Sequence, residues 1–255
     1  MNQLDAKSVV VGVNGSQAAV NAVKWAIDEA ISRQLPLRLV YVIPGRRIAS
    51  ADNASEWELE RSEMVLSQAI CAVQDEHKPV EVETAVLSGD PAQALIAESL
   101  HAAMVCVGTS RRGWAADGLL GPTAAALVTG AHCPVAIIRT NPDGSPTELG
   151  VIAVVLNDEP DNDEVVHQAM EEGRRRHATV RQIDRRLDSW VRRYPDVPVQ
   201  IVAAGTGAHA AENHSSAIDL AVVGEAEADQ LPELAIPNCH PILGYPDCSV
   251  LLVRH

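Results

Sequence analysis

Residues 108–123 read GTSRRGWAADGLLGPT, four glycines in sixteen positions directly after the apolar run MVCVG. A backbone without Cβ atoms can close its N–H groups around a phosphate, so glycines just past a strand are candidate anion-binding positions. Gly108, Gly113 and Gly121 are the glycines weighed here, and Arg111 and Arg112 add guanidinium groups suited to bidentate phosphate pairing. Thr123 offers a hydroxyl close to the start of the next helical run, where a helix N-terminus favours anions. Pro122 works against this, because proline has no N–H to donate. A second turn of interest is GVNGS at 12–16, where Val13 and Asn14 end an apolar run.

The elements that must position these residues follow from apolar patterning. SVVVGV (8–13), LRLVYVI (37–43), VEVETAVL (80–87), AMVCVG (103–108) and CPVAIIR (133–139) read as strands. Between them, residues 17–33, 54–77, 90–99 and 122–131 have helical spacing. Ser16 stands at an N-cap position and Pro91 at a first helical turn. This alternation predicts α/β architecture, an open parallel five-stranded sheet with helices on both faces. Ligands of such sheets bind at the carboxyl ends of the strands. GVNGS and the glycine loop both lie there.

A turn-rich break, TNPDGSPTELG (140–150), separates this half from a second that repeats it in worn form. At an offset of 143, VNGS (13–16) falls on LNDE (156–159), and Asp28-Glu29 falls on Glu171-Glu172. Gly108 matches Gly224 at 116, and Arg139 matches Arg254 at 115. The second copy is thus shorter, and the loss is read as falling at the second strand, for which ATVRQI is the only counterpart. The expectation is a second sheet with one strand fewer, or a vestigial strand near 178–183.

Composition narrows the function classes. The 255 residues carry a formal net charge of −14, which repels nucleic acid. The Arg174–Arg193 region alternates with acidic residues at spacings of a solvated helix face. Phe is absent, so the core is aliphatic; Trp25 and Trp190 fall on helical faces as packing residues. The five cysteines form no CxxC pair, and no apolar run is of membrane-spanning length, which points to a cytoplasmic protein. A G-x-S-x-G elbow is missing, and His209, His214 and His240 lack metal-ligand spacing. Glu225, Glu227 and Asp229 stand where phosphates would sit in the second half, against a second anion site.

The ordered set VVVGVNGSQAAVNAVKWAIDEA, LRLVYVI, VCVGTSRRGWAADGLLGPTAAALV and HCPVAIIR resembles a universal stress protein domain over residues 8–139, and the degenerate second half resembles two-domain members. The resemblance implies a Rossmann-like, adenine-nucleotide α-hydrolase-like fold, duplicated, with domains at 1–141 and 149–255 and the second shortened. It implies ATP, with magnesium, as the candidate ligand of the first domain only. The family's phosphate motif (Gly, two residues, Gly, nine residues, Gly, Ser or Thr) maps to Gly108, Arg111, Gly121 and Pro122, with Thr123 one place late. Asn14 takes the place of the usual acidic residue, and backbone contacts to adenine map to Val13 and Val42. The implied role is a non-catalytic stress-response module whose two halves pair within each chain through strands 134–139 and 249–254; apolar surface left by the shortened second sheet adds the expectation of a homodimer. Two alternatives stay open: a nucleotide-free interaction scaffold with a vestigial loop, and a very weak nucleotide hydrolase.

Overall fold

In the computed structural model, residues 7–45, 56–110, 120–147, 150–154, 162–182, 188–201, 218–225, 228 and 248–254 are described. They fall into two units divided at residues 146 and 147.

The first unit alternates strands and helices: β1 (Ser8–Val13), α1 (Gln17–Arg33), β2 (Leu37–Pro44), α2 (Glu56–Asp75), β3 (Val82–Gly89), α3 (Pro91–Ser99), β4 (Ala102–Ser110), α4 (Pro122–Gly130) and β5 (Val135–Thr140). Its strands lie in the order β3-β2-β1-β4-β5, every neighbouring pair parallel. β1, β2, β4 and β5 bury both faces, with Val9, Val11, Leu37, Leu39, Val105, Cys106 and Val135 fully enclosed. Each such aliphatic side chain contributes roughly 1.5–3 kcal/mol by leaving water. The small residues of α1 (Ala19, Ala22, Ala26, Ala30) are buried and let the helix lie close over β1, β4 and β5.

Local chemistry sets the helix starts. Ser16 caps α1, its Oγ accepting from the Ala19 N–H at 3.2 Å. Asp90 caps α3, its Oδ1 accepting from the Gln93 N–H at 3.0 Å, with Pro91 in the first turn. Asn21, buried in α1, donates from Nδ2 to Thr140 Oγ1 (2.9 Å) and to the Gly144 carbonyl (3.2 Å), which fixes α1 to the end of β5.

The second unit contains β6 (Val151–Val154), α5 (Asn162–Arg176), β7 (Thr179–Gln182), α6 (Asp188–Arg193), β8 (Val199–Ile201), β9 (Leu220–Val223) and β10 (Ser249–Leu252) among the described residues. The order is β10-β9-β6-β7-β8, again all parallel. This is the order of the first unit, so the expected loss of a strand is overturned. β7 does form where a vestigial strand was expected, but β8 completes a five-stranded sheet.

Registers locate the shortening. Leu37 pairs with Val9 and Val180 with Ile152, so both strands keep the offset of 143. Val82 pairs with Leu37 and Val199 with Val180, and there the offset has dropped to 117. The missing residues therefore come from between the second and third strands, where α2 has twenty residues and α6 has six. The second strand was hard to see because it is polar. Arg181 is buried and donates from Nε to Gln200 Oε1 of β8 at 3.1 Å, a cross-strand pair that no apolar-run criterion detects.

The ends of α1 and α5 repeat in detail. Glu29 and Glu172 are fully buried, and each pairs with an arginine four residues on: Arg33 at 3.4 Å and Arg176 at 2.8 Å. Arg175 joins the second pair. Gln34 and His177 then take left-handed φ values of 56° and 54°. The charged spacing that reads as a solvated face is thus, at Glu172, a buried ion cluster.

Candidate functional site

The chain lays β2 and β3 on one side of β1 and then returns to lay β4 and β5 on the other. That reversal opens a crevice at the carboxyl ends of β1 and β4, the usual ligand position in such sheets. Val13 closes β1 opposite Tyr41, so Val42 stands one rung further along β2. Gly12 pairs with Val107, which puts Gly108 one rung further along β4. Val13, Val42 and Gly108 are thus brought together at the ends of three adjacent strands. The side chains of Val13 and Val42 are buried, so only their backbone groups could take part in ligand contact.

Beyond Val13 the chain turns sharply. Asn14 is exposed, and its Oδ1 accepts from the Ser16 N–H at 3.0 Å. Gly15 has φ +79°, and a Cβ there would lie 3.1 Å from Val65 of α2. The Asn14 oxygen therefore already serves the turn with one hydrogen bond, and the side chain brings a neutral amide, not a carboxylate, to this strand end.

The strand β4 runs through Ser110, two residues past the glycine at which the apolar run ends. Gly108 is consequently a strand residue, and its lack of a side chain has a packing cause. A Cβ there would lie 1.9 Å from the Ala18 carbonyl oxygen and 2.7 Å from the Ala19 nitrogen. Only glycine lets the first turn of α1 settle on the end of β4. Gly12, which the sequence reading passed over, has the matching role towards α3: its Cβ would meet Leu95 at 2.8 Å. A glycine inside an apolar strand run was the available signal.

Gly121 differs. Its φ of 72° and ψ of 160° lie in a region essentially confined to glycine, and no described residue stands within 4 Å of where its Cβ would be. It precedes α4, and Pro122 occupies the first helical position. The Ala125 N–H returns to the Gly121 carbonyl at 3.0 Å. The donors of that end are therefore Thr123 and Ala124, with Pro122 supplying none. α4 carries no charged residue, so its positive end is not neutralised from within. Arg111, Arg112 and Gly113 lie outside the described residues.

In the second unit, Gly224 and Glu225 follow β9. Glu225 is exposed and pairs with Arg254 at 3.5 Å, which keeps a carboxylate where Thr109 stands in the first unit. Glu227 and Asp229 lie outside the described residues. The short α6 also leaves a cleft of about 520 Å³ beside α5, lined by His167, Trp190 and Tyr194 among others. Its polar groups bind one another: Tyr194 Oη lies 2.5 Å from His167 Nδ1, and Arg174 holds Asp196 through Nε (2.6 Å) and Nη2 (2.9 Å). Trp190 and Tyr194 stack at 6.2 Å, with Arg174 over the Tyr194 ring. Burial, then a hydrogen bond with Glu171, pushes the Tyr194 phenol up to about 12. These contacts brace α6 against α5.

Among the described residues no cluster of His, Cys, Asp and Glu could hold a metal ion, and no helix is long and apolar enough to cross a membrane. A model of the universal stress protein family matches residues 6–139. Universal stress protein Rv2624c of Mycobacterium tuberculosis is 38% identical over 264 residues, covering 97% of this chain and 96% of the relative. Universal stress protein Rv3134c of the same organism is 36% identical, covering 98% and 96%. Among solved structures, a universal stress protein from Archaeoglobus fulgidus has the same fold, with a TM-score of 0.67 at 13% identity over 98% of this chain and 97% of that one. With the matched strand ends and a family model spanning more than half its length, the chain belongs to the universal stress protein family.

Proposed function

We propose that this protein acts by binding rather than by catalysis, as a stress-response module with one adenine-nucleotide site in its first unit. The second unit is a degenerate copy of the first and takes no nucleotide. The observation that carries the reading is the switch point between β1 and β4, with Val13, Val42 and Gly108 on adjacent strands there and an α4 N-terminus, behind Gly121, that has no side-chain cap. The base would sit against the backbone of Val13 and Val42, and the phosphates against Thr123 and Ala124. Glu225 argues against a second site, because its carboxylate repels phosphate.

Hydrolysis is not part of the proposal. The turn after β1 carries Asn14 rather than a carboxylate, so no general base stands beside the phosphates among the described residues. The competing scaffold reading has its own support, since the packing against Ala18 explains Gly108 without any ligand. Nucleotide released from the purified, denatured protein and identified by mass spectrometry separates the two, followed by calorimetric titration with ATP. Recovery of adenine nucleotide and saturable binding are expected. A protein that is purified empty and gives no heat with ATP is a scaffold.

A further inference from the structure

Magnesium, the expected companion of ATP, does not match the residues described at the carboxyl end of the first sheet. A divalent cation of this size seeks oxygen ligands, carboxylates first. The turns at the carboxyl end of the first sheet offer two carboxylates among the described residues, both outside the β1–β4 crevice and both engaged. Asp90, after β3, accepts from the Gln93 N–H at 3.0 Å. Asp143, after β5, accepts from the Ser145 N–H at 2.9 Å and the Ser145 hydroxyl at 2.7 Å, which hold its carboxyl below the usual range. Inside the crevice, Asn14 has its oxygen tied to the Ser16 N–H and the Ser16 Oγ accepts from the Ala19 N–H. Among the described residues the crevice then offers donors rather than carboxylates: the neutral amide of Asn14 and the backbone N–H groups of Thr123 and Ala124 at the positive end of α4.

We infer that the first-unit site, on the reading that it takes ATP, selects the metal-free nucleotide and discriminates against its magnesium complex. Donors and a helix N-terminus interact more strongly with a more negative ligand. Magnesium cancels part of the triphosphate charge and occupies the oxygens that these donors would bind, and the described residues of the crevice return no carboxylate to the metal. Asn14 is the residue that sets this preference. An aspartate in its place would still accept from the Ser16 N–H, so the turn would be kept while a carboxylate entered the crevice.

The test is calorimetric titration of the full chain with ATP, once in EDTA and once with excess magnesium chloride. Binding about tenfold weaker in magnesium is expected. Asn14→Asp should reverse the order, weakening free ATP and letting magnesium restore affinity, with an unchanged circular dichroism spectrum. Magnesium titrated into the nucleotide-free wild type should give no saturable heat. Wild-type affinity that rises with magnesium overturns the inference. Asp117 lies outside the described residues; a magnesium enhancement lost in Asp117→Asn would overturn it and name the missing ligand. Absence of ATP binding in both buffers sinks the nucleotide reading itself.

Discussion

A Cβ on Gly108 would stand 1.9 Å from the carbonyl oxygen of Ala18, so the end of β4 and the first turn of α1 touch backbone to backbone. Neither side can yield by changing a rotamer. Gly108→Ala should destabilise the first unit by more than the roughly 1–3 kcal/mol usual for overpacking. A urea unfolding midpoint equal to the wild type's would refute this packing role.

Gly121 makes the contrasting case. Gly121→Ala meets no described residue and should cost the backbone strain of its dihedrals, about 1–3 kcal/mol. If the α4 end binds phosphate, this variant should lose ATP affinity at a temperature where it is still folded. Gly108, inside β4, and Gly121, before α4, are thus separable: the first is needed for packing, the second for backbone shape. Equal effects of both changes on stability and on binding would contradict that division.

The buried carboxylates predict an asymmetry. Glu172 holds Arg175 and Arg176, which are mostly enclosed, whereas Glu29 pairs at 3.4 Å with the more exposed Arg33. Glu172→Gln removes the anion between two guanidinium groups and should cost towards the lower end of the about 3–5 kcal/mol seen for broken buried pairs. Glu29→Gln should cost less. Trp190 fluorescence during urea unfolding reports the first change, and a larger loss for Glu29→Gln would reverse the ranking.

How much of this was legible in the residues depends on what held each element. β1, β2, β4 and β5 announce themselves because both faces are aliphatic, and Ser16 and Asp90 mark their helices by side-chain chemistry alone. β7 and β8 were missed or undervalued, since Arg181 is buried through Gln200 on the neighbouring strand, a partner that sequence order does not reveal. Glu172 with Arg176 looks the same in sequence as a solvated i,i+4 pair; only tertiary burial separates them. At the site, Asn14 and Gly121 were identifiable by position. The second role of Asn14, as acceptor from Ser16, and the packing origin of Gly108 needed coordinates.

The α5–α6 brace should respond to alkali. Tyr194 holds its proton up to about 12, tighter than an unfolded tyrosine near 10. The folded state therefore binds more protons between those values, and stability is lost as pH rises through them. Phenolate absorbance should contain a late-titrating component that is absent in Tyr194→Phe. Asp196 works in the opposite sense: Arg174 holds its carboxyl down to about 2, so its contribution is present above the unfolded range near 4 and fades as pH falls towards 2. An alkaline titration in which Tyr194→Phe removes no late component would rule out the brace as drawn.

Pro122→Ser should raise affinity for ATP. Pro122 stands at the first helical position, where its missing N–H costs the helix nothing because no intrahelical acceptor exists for it. That same N–H is, however, one of the donors that a phosphate at the end of α4 would use. Serine restores it and adds a hydroxyl one place before Thr123. A new hydrogen bond to a charged group contributes about 1.5–3 kcal/mol, on the order of tenfold or more in affinity. The stability change should be small, since serine loses only the pre-set φ of proline, worth roughly 0.4–1 kcal/mol. Calorimetric titration of the variant in EDTA, beside the wild type, measures the gain. Affinity left unchanged, with the fold intact by circular dichroism, would show that the phosphates do not reach the start of α4.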